Sequence, residues 1–347
     1  MRVAIIKPPI RGHINRGTGV YTSELAKALN LMKDTKAYII SDPKDINQFD
    51  LIHYPYFDPF FLTLPMVKKK PTVVTVHDLI PLKYPQFFPK GLKGELKWQM
   101  QKYSLKQTSA VITDSYSSKE DIIKYTKISD QKINVVYLGI SEDFHQIKDQ
   151  KYLQSLRNKF LLPKKFIMYT GDVNYNKNIP ALLKAFQKLK TDFPDFSLLL
   201  VGKGFVTPTP QRDEIISLIK TLNIENSVIM PGLIDKSDLI AFYNLAAVYI
   251  QPSLAEGFGL PVLEAISSGT LVIVSNASSL KEIVPHDSIF VNPQSADDIY
   301  KGLKRALKLS ADDIIKLKKS SRDFTASFTW QKCASKTRKV YEKVLKA

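Results

Sequence analysis

The stretch Ser253-Leu-Ala-Glu256-Gly257-Phe258-Gly259-Leu260-Pro261-Val-Leu-Glu264-Ala265 constrains the fold more than any other part of the chain. The apolar run 247–250 predicts a buried strand that ends at Gln251-Pro252. Residues 260–268 predict a helix, with Pro261 in its first turn and Gly269 as its stop. A strand that passes through a glycine turn straight into a helix is one βα unit of a parallel sheet. Glycine lets the backbone approach a ligand, and the helix start turns unpaired N–H groups toward it, which suits an anion. Glu256 in the turn and Glu264 on the first helical turn add two acceptors for hydroxyl groups. Two acceptors beside an anion cradle suit a sugar joined to a phosphate. A plain βα turn with two solvated glutamates would carry the same residue types.

The complete run from Glu256 to Ala265 resembles the signature of retaining nucleotide-sugar glycosyltransferases of the GT-B fold, in particular glycosyltransferase family 4. The resemblance implies an α/β protein of two Rossmann-like, doubly wound domains facing a central cleft. It implies that Glu256 holds the donor sugar and Glu264 the nucleotide ribose. The backbone of Gly257, Phe258, Gly259 and Leu260 would meet the sugar and the diphosphate.

The rest of the chain repeats the βα theme. Residues 2–6 predict a strand, 7–19 a loop ending in Gly17-Thr18-Gly19, and 20–30 a helix with Leu25, Leu29 and Met32 on one face. The loop lacks the G-x-G-x-x-G spacing of dinucleotide-binding proteins. It resembles the first loop of the same transferase family, where a short glycine motif closes over the donor phosphates, so Thr18 and Gly19 are expected there. Further strands are expected at 37–41, 51–54, 72–77, 110–114 and 134–137. The strand 72–77 delivers His77 and Asp78 at its C-terminal end, where open α/β sheets bind ligands. The resemblance turns His77 toward the donor sugar and leaves Asp78 structural.

Residues 140–159 are charged and lack a clean period, so they read as a linker between domains 1–158 and 159–328. The second domain opens with a strand at 166–170 and the loop Gly171-Asp172-Val-Asn174-Tyr-Asn176-Lys177-Asn178. A helix follows with Ile179, Leu182, Leu183, Phe186 and Leu189 on one face. A lysine before a helix start suits a diphosphate. In the family a lysine here neutralises the leaving diphosphate, which implies that role for Lys177, with Asn174 beside it as a donor contact. Many members carry an arginine directly after the glycine, where this chain has Asp172; Arg16 or Lys203 could substitute. The turn Pro231-Gly232-Leu233 would meet the nucleobase through its backbone. A final basic helix over 329–347 would cross back onto the first domain.

Charge and composition narrow the partners. The chain has 347 residues, more than one core usually serves, and a formal net charge of +17. Such an excess suits an anionic membrane surface, an anionic acceptor, nucleic acid or the sugar nucleotide itself. Between residues 87 and 107 lysines alternate with Trp98, Met100, Tyr103 and Leu105, a pattern compatible with a helix resting on a bilayer and equally with a solvated helix. No apolar run is long enough to span a bilayer. The single cysteine, Cys333, fits a reducing cytoplasm, and the five histidines show no metal-ligand spacing. No metal cofactor is expected, since Lys177 and the helix starts after Gly19 and Gly259 can supply the positive potential. The segment His77-Asp-Leu-Ile-Pro81 resembles bacterial mannosyltransferases of surface polysaccharide assembly. GDP-mannose is therefore the first expected donor, and a glycan or lipid-linked molecule the acceptor, with no nucleic acid. Another GT-B enzyme, an epimerase or a phosphorylase, and a non-catalytic basic binding module are the alternatives.

Overall fold

A computed structural model describes residues 1–8, 17–41 and 46–346. The chain forms two compact units. Unit 1 is Met1–Gly139 with Phe328–Ala347, and unit 2 is Ile140–Ser327.

Unit 1 is built on a six-stranded, all-parallel sheet. Its strands are β1 (Arg2–Ile6), β2 (Lys36–Ile40), β3 (Leu51–Tyr54), β4 (Thr72–Thr75), β5 (Ala110–Thr113) and β6 (Ile133–Val135), in the order β2-β1-β3-β4-β5-β6. Every residue of β3, β4 and β5 is buried, as expected for strands covered on both faces. Edge strand β2 buries only Ala37. Helix Gly17–Asn30 places Leu25 and Leu29 in the core with no exposure. It begins at Gly17, so Thr18 and Gly19 form its first turn and not a preceding loop. Helix Trp330–Lys346 buries Trp330, Cys333, Ala334, Thr337, Val340 and Tyr341, one face at the helical period, against unit 1. The Tyr341 hydroxyl lies 2.7 Å from His53 Nδ1 on β3.

Unit 2 repeats the plan with β7 (Phe166–Thr170), β8 (Ser197–Val201), β9 (Val228–Gly232), β10 (Val248–Gln251), β11 (Val272–Ser275) and β12 (Ile289–Val291). The order is β12-β11-β10-β7-β8-β9, again all parallel. The chain winds from β7 out to β9, then returns to the other side of β7 to form β10. The switch point of the sheet therefore lies between β7 and β10, and the crevice beyond strand ends at such a point is where doubly wound sheets bind ligands. Helix Ile179–Asp192 buries Leu182, Leu183, Phe186 and Leu189 completely, the face that its sequence period predicts.

Residues 140–158 correct the expected linker and domain boundary. Asp149 caps helix Gln150–Lys159, accepting from Lys151 and Tyr152 backbone N–H groups at 2.9 and 3.0 Å. Leu153 and Leu156 bury against Ala241 of unit 2. Two buried positions in ten residues are too few to show a period, so the segment reads as a linker although it is packed.

Candidate active site

The loops leaving β7 and β10 are locked together by two asparagines. Asn176 Nδ2 donates to the Ala255 carbonyl at 3.0 Å, and the Asn176 carbonyl accepts from Leu254 N at 2.8 Å. Asn178 Nδ2 donates to the Pro252 and Pro293 carbonyls at 3.0 and 2.6 Å. Asn178 has φ of 60°, a left-handed conformation that asparagine tolerates better than most residues. Lys177, between them, ends the short 3₁₀ turn Tyr175–Lys177. Its Nζ reaches both carboxylate oxygens of Glu256 at 2.8 Å.

Glu256 is held from below as well. Its Oε1 accepts from Gln251 Nε2 at 2.9 Å and Ser253 Oγ at 2.7 Å. Gln251 is fixed in turn by the Tyr249 hydroxyl, which donates to its Oε1. Ser275 Oγ, at the end of β11, donates to the Ser253 carbonyl at 2.6 Å. Ser278 Oγ donates to the Glu256 carbonyl at 2.7 Å, and Ser279 Oγ lies 2.8 Å from the Phe258 carbonyl. The turn closes at Gly259, where φ is +117° and a Cβ would lie 2.7 Å from Leu280 Cδ2 and 2.8 Å from Ile283 Cδ1. Both the backbone and the space require glycine there. Helix Leu260–Ser267 starts immediately after it.

Glu264 has a different environment from Glu256. It stands on that helix, its Oε2 accepting from the Tyr243 hydroxyl at 3.1 Å. Part of its surface reaches solvent, but burial among protein atoms dominates and pushes its carboxyl up to about 7, against the pull of Tyr243 and Lys236. Asn174 is exposed, and its carbonyl accepts from Lys177 N at 2.8 Å. Leu233 is 75% exposed just past β9, the edge strand beyond β8. Asp172 Oδ1 accepts from Val173 N at 2.8 Å and sits so close to the Lys203–Phe205 turn that a Cβ on Gly204 would lie 2.4 Å from it. Lys203 is thus on the turn packed against the carboxylate that stands in the arginine position. Arg16 lies outside the described residues.

His77, Thr18 and Gly19 belong to unit 1. His77 lies two residues past β4, with Nδ1 2.6 Å from Asp114 Oδ2 and Nε2 3.0 Å from the Pro55 carbonyl. A carbonyl can only accept, so Nε2 carries a proton. Burial alone would lower the His77 pKa, but the charge and hydrogen bond of Asp114 outweigh it and raise it. Burial raises the Asp114 carboxyl against the pull of His77. Both ring nitrogens are therefore committed to acceptors within unit 1, and the imidazole is a held donor more than a free base. The Tyr21 ring stands edge-on to it, with centroids 5.0 Å apart. His53, one strand over, is bonded to Tyr341 and to Thr75 Oγ1 at 2.8 Å. Burial and the charge on His77 bring its pKa down to about 3, so it stays neutral.

The sequence motifs therefore bring Lys177, Glu256 and the Gly257–Leu260 turn together, with Glu264 one helical turn on. Asn176, Asn178, Gln251, Ser253, Ser278 and Ser279 hold the unit 2 site, and Asp114 holds His77 within unit 1, without having been expected to. Asp114 had one visible signal, a carboxylate at the end of an apolar run; the serines and asparagines had none beyond adjacency. Among the described residues no group of three His, Cys, Asp or Glu side chains could hold a metal ion, and no helix is long and apolar enough to cross a membrane.

Two family models match the chain: "Glycosyl transferases group 1" over residues 154–323 and "Glycosyltransferase Family 4" over 34–144. The serotype-specific mannosyltransferase WbdA of Escherichia coli is 31% identical over 269 residues, covering 76% of this chain and 32% of that protein. The chain thus spans about a third of the length of WbdA. The O-antigen chain mannosyltransferase B of E. coli is 27% identical over 311 residues, covering 88% of this chain and 77% of its own. Among solved structures, sucrose-phosphate synthase from Thermosynechococcus elongatus superposes with a TM-score of 0.77 at 20% identity, over 100% of this chain and 99% of that one. Anabaena HepE, solved with UDP and glucose, gives a TM-score of 0.75 at 15% identity over 100% of both chains. These structures share the fold that the sequence implied, and the chain belongs to the GT-B glycosyltransferases of the group 1 and family 4 type.

Proposed function

We propose that the protein is a retaining hexosyltransferase that moves a sugar from a nucleoside-diphosphate donor to a glycan or lipid-linked acceptor. The observation that carries this reading is the Lys177–Glu256 pair, fixed at the switch point beside a glycine turn and a helix start. A nucleotide sugar divides the pair. The diphosphate, which gains charge as the glycosidic bond breaks, takes the Lys177 ammonium and the start of helix Leu260–Ser267. The sugar hydroxyls donate to Glu256, whose other donors, Gln251 and Ser253, keep the carboxylate in place. Glu264 accepts from the ribose, the exposed Leu233 turn borders the base, and Asn174 lies by the phosphates. Thr18, Gly19 and His77 of unit 1 are further donor contacts in this reading, with the His77 ring held in place by Asp114 and the Pro55 carbonyl. The departing phosphate oxygen takes the acceptor's proton on the face it leaves, which retains configuration and needs no protein nucleophile.

The named functions of the relatives favour mannose, with GDP-mannose the first donor to try and surface polysaccharide as the product class. In this reading the reaction runs in the cytoplasm, and the lysine and helix starts supply enough positive potential for transfer without an added divalent ion.

The test is a thermal-shift series against UDP, GDP, ADP and their sugars with and without EDTA, followed by transfer assays. Ligand binding to the folded state raises the midpoint by mass action. One nucleobase should respond, the response should survive EDTA, and Lys177→Ala and Glu256→Ala should lose transfer while remaining folded. Full activity in either variant, or no response to any nucleotide, overturns the assignment.

A further inference from the structure

Helix Gly91–Lys106 of unit 1 turns one face to the core and leaves an apolar stripe on the opposite face. Gly94, Trp98, Gln101 and Leu105 are buried. Leu92, Leu96 and Tyr103 are 92%, 65% and 56% exposed. At about 100° per residue these three share one line, directly away from Trp98 and Leu105. Lys93 and Lys97 fall on one side of that line, Lys102 and Lys106 on the other. The helix has one acid, Glu95, and Lys90 neutralises it.

A second segment continues the surface. Phe61, Leu62, Met66 and Val67 are 55%, 57%, 41% and 73% exposed, and Lys68-Lys-Lys70 follow them. Gln101 Oε1 accepts from Thr63 N and Leu64 N, both at 3.0 Å, and Lys68 Nζ donates to Ser104 Oγ at 2.6 Å. Lys97 Nζ lies 5.5 Å from the Phe61 ring centroid. These contacts fix the segment along the Lys97 flank of the helix, so the two apolar exposures adjoin.

A water-facing helix face is normally polar. An apolar stripe bordered on both sides by lysines is poorly matched to a protein partner, because lysine is depleted at protein interfaces. It is well matched to an anionic bilayer, where apolar side chains enter the interface while lysine stems lie along it and their heads meet phosphates. We propose that helix Gly91–Lys106 together with residues 61–70 is a docking surface for an anionic lipid bilayer. This surface would hold a lipid-linked acceptor's membrane against unit 1, but bilayer binding itself is independent of the donor chemistry.

The test is co-sedimentation of the full chain with vesicles of phosphatidylcholine alone and of phosphatidylcholine with phosphatidylglycerol. Binding should require phosphatidylglycerol and weaken with salt. Lys93→Glu with Lys106→Glu should cut the partition coefficient roughly thirtyfold or more, at about fivefold per lysine removed. Leu92→Ser with Leu96→Ser should cut it roughly tenfold or more, and lower salt should not restore it. Nucleotide-induced thermal shifts should be unchanged in both variants, which separates loss of docking from loss of fold or donor binding. Equal partition onto neutral vesicles, no partition onto either, or wild-type partition by both variants overturns the proposal. So does a dimer that Leu92→Ser with Leu96→Ser converts to monomer, since the face would then be a self-interface.

Discussion

Removing either partner of the Lys177–Glu256 pair should have unequal effects on stability, and the inequality follows from the geometry. Glu256 Oε1 has three donors, Lys177, Gln251 and Ser253, while Oε2 accepts from Lys177. The glutamate side chain is 10% exposed and the lysine 20%. Lys177→Met therefore strands a charged oxygen with little access to water. Breaking a buried pair costs about 3–5 kcal/mol, and the surviving bonds to Oε1 bring this to about 3 kcal/mol. Glu256→Gln keeps an acceptor of the same shape and leaves an ammonium on a flexible stem that can turn to solvent, for a loss of about 1 kcal/mol. Lys177→Met with Glu256→Gln removes the stranded charge and should recover about 2 kcal/mol relative to Lys177→Met alone. Urea unfolding of the four proteins, followed by a unit 2 signal, gives the cycle. Equal losses in the two single variants, or a larger loss in Glu256→Gln, would show that the carboxylate is not the partner that depends on the pair.

Two further predictions concern titration. The Glu264 carboxyl is held up to about 7, so it stabilises the fold at acid pH and that contribution is lost as pH rises from the ordinary carboxylate range through about 7. Ribose hydroxyls donate best to the charged form, so nucleotide affinity measured by calorimetry should rise through about pH 7, and Glu264→Gln should abolish that rise. The His53 pKa is brought down to about 3 from the ordinary histidine value of 6.5, so its contribution is complete above 6.5 and is lost as pH falls toward 3, at about 1.4 kcal/mol per pH unit. His77, with its pKa raised, acts in the opposite sense, so the measurement is the difference in urea midpoint between wild type and His53→Gln, which should shrink as the pH is lowered; a difference constant with pH would refute the assignment of a neutral buried His53.

The sequence was most legible where one residue type answers one physical demand. Gly259 must be glycine for its φ and for its contacts with Leu280 and Ile283, so the turn between the two glutamates could be read directly. The helix after Asn178 could be read because its apolar face is full, with four completely buried side chains at helical spacing. Helix Gln150–Lys159 could not, because Leu153 and Leu156 are its only buried positions and their partner, Ala241, is far away in sequence. Strand β12 is three residues long and carries too little pattern to stand out. The ring nitrogens of His77 were equally hidden. Its position at a strand end was visible, but the carbonyl of Pro55 and the carboxylate of Asp114 come from two other strand ends.

That last pairing bears on how such a site can work. An imidazole with both nitrogens committed cannot readily accept a proton, and Asp114 favours its charged form. Unit 2 shows the same logic with opposite sign. Glu256 is charge-paired and triply supported, so it is held as an acceptor and poorly placed to shuttle a proton. Neither group is arranged as a general acid or base: Glu256 is a fixed acceptor and His77 a fixed donor. A reaction that relies on them must therefore draw on electrostatic positioning and find its proton acceptor elsewhere. The leaving diphosphate is an acceptor that the donor itself supplies, so the same-face proton transfer proposed above asks for nothing that these two side chains are built to withhold. His77→Gln, which keeps a donor and removes the titratable ring, then becomes the sharpest probe of unit 1. It should lower turnover of a bound donor more than donor affinity, whereas a bell-shaped pH profile that vanishes in this variant would restore His77 as an acid–base catalyst.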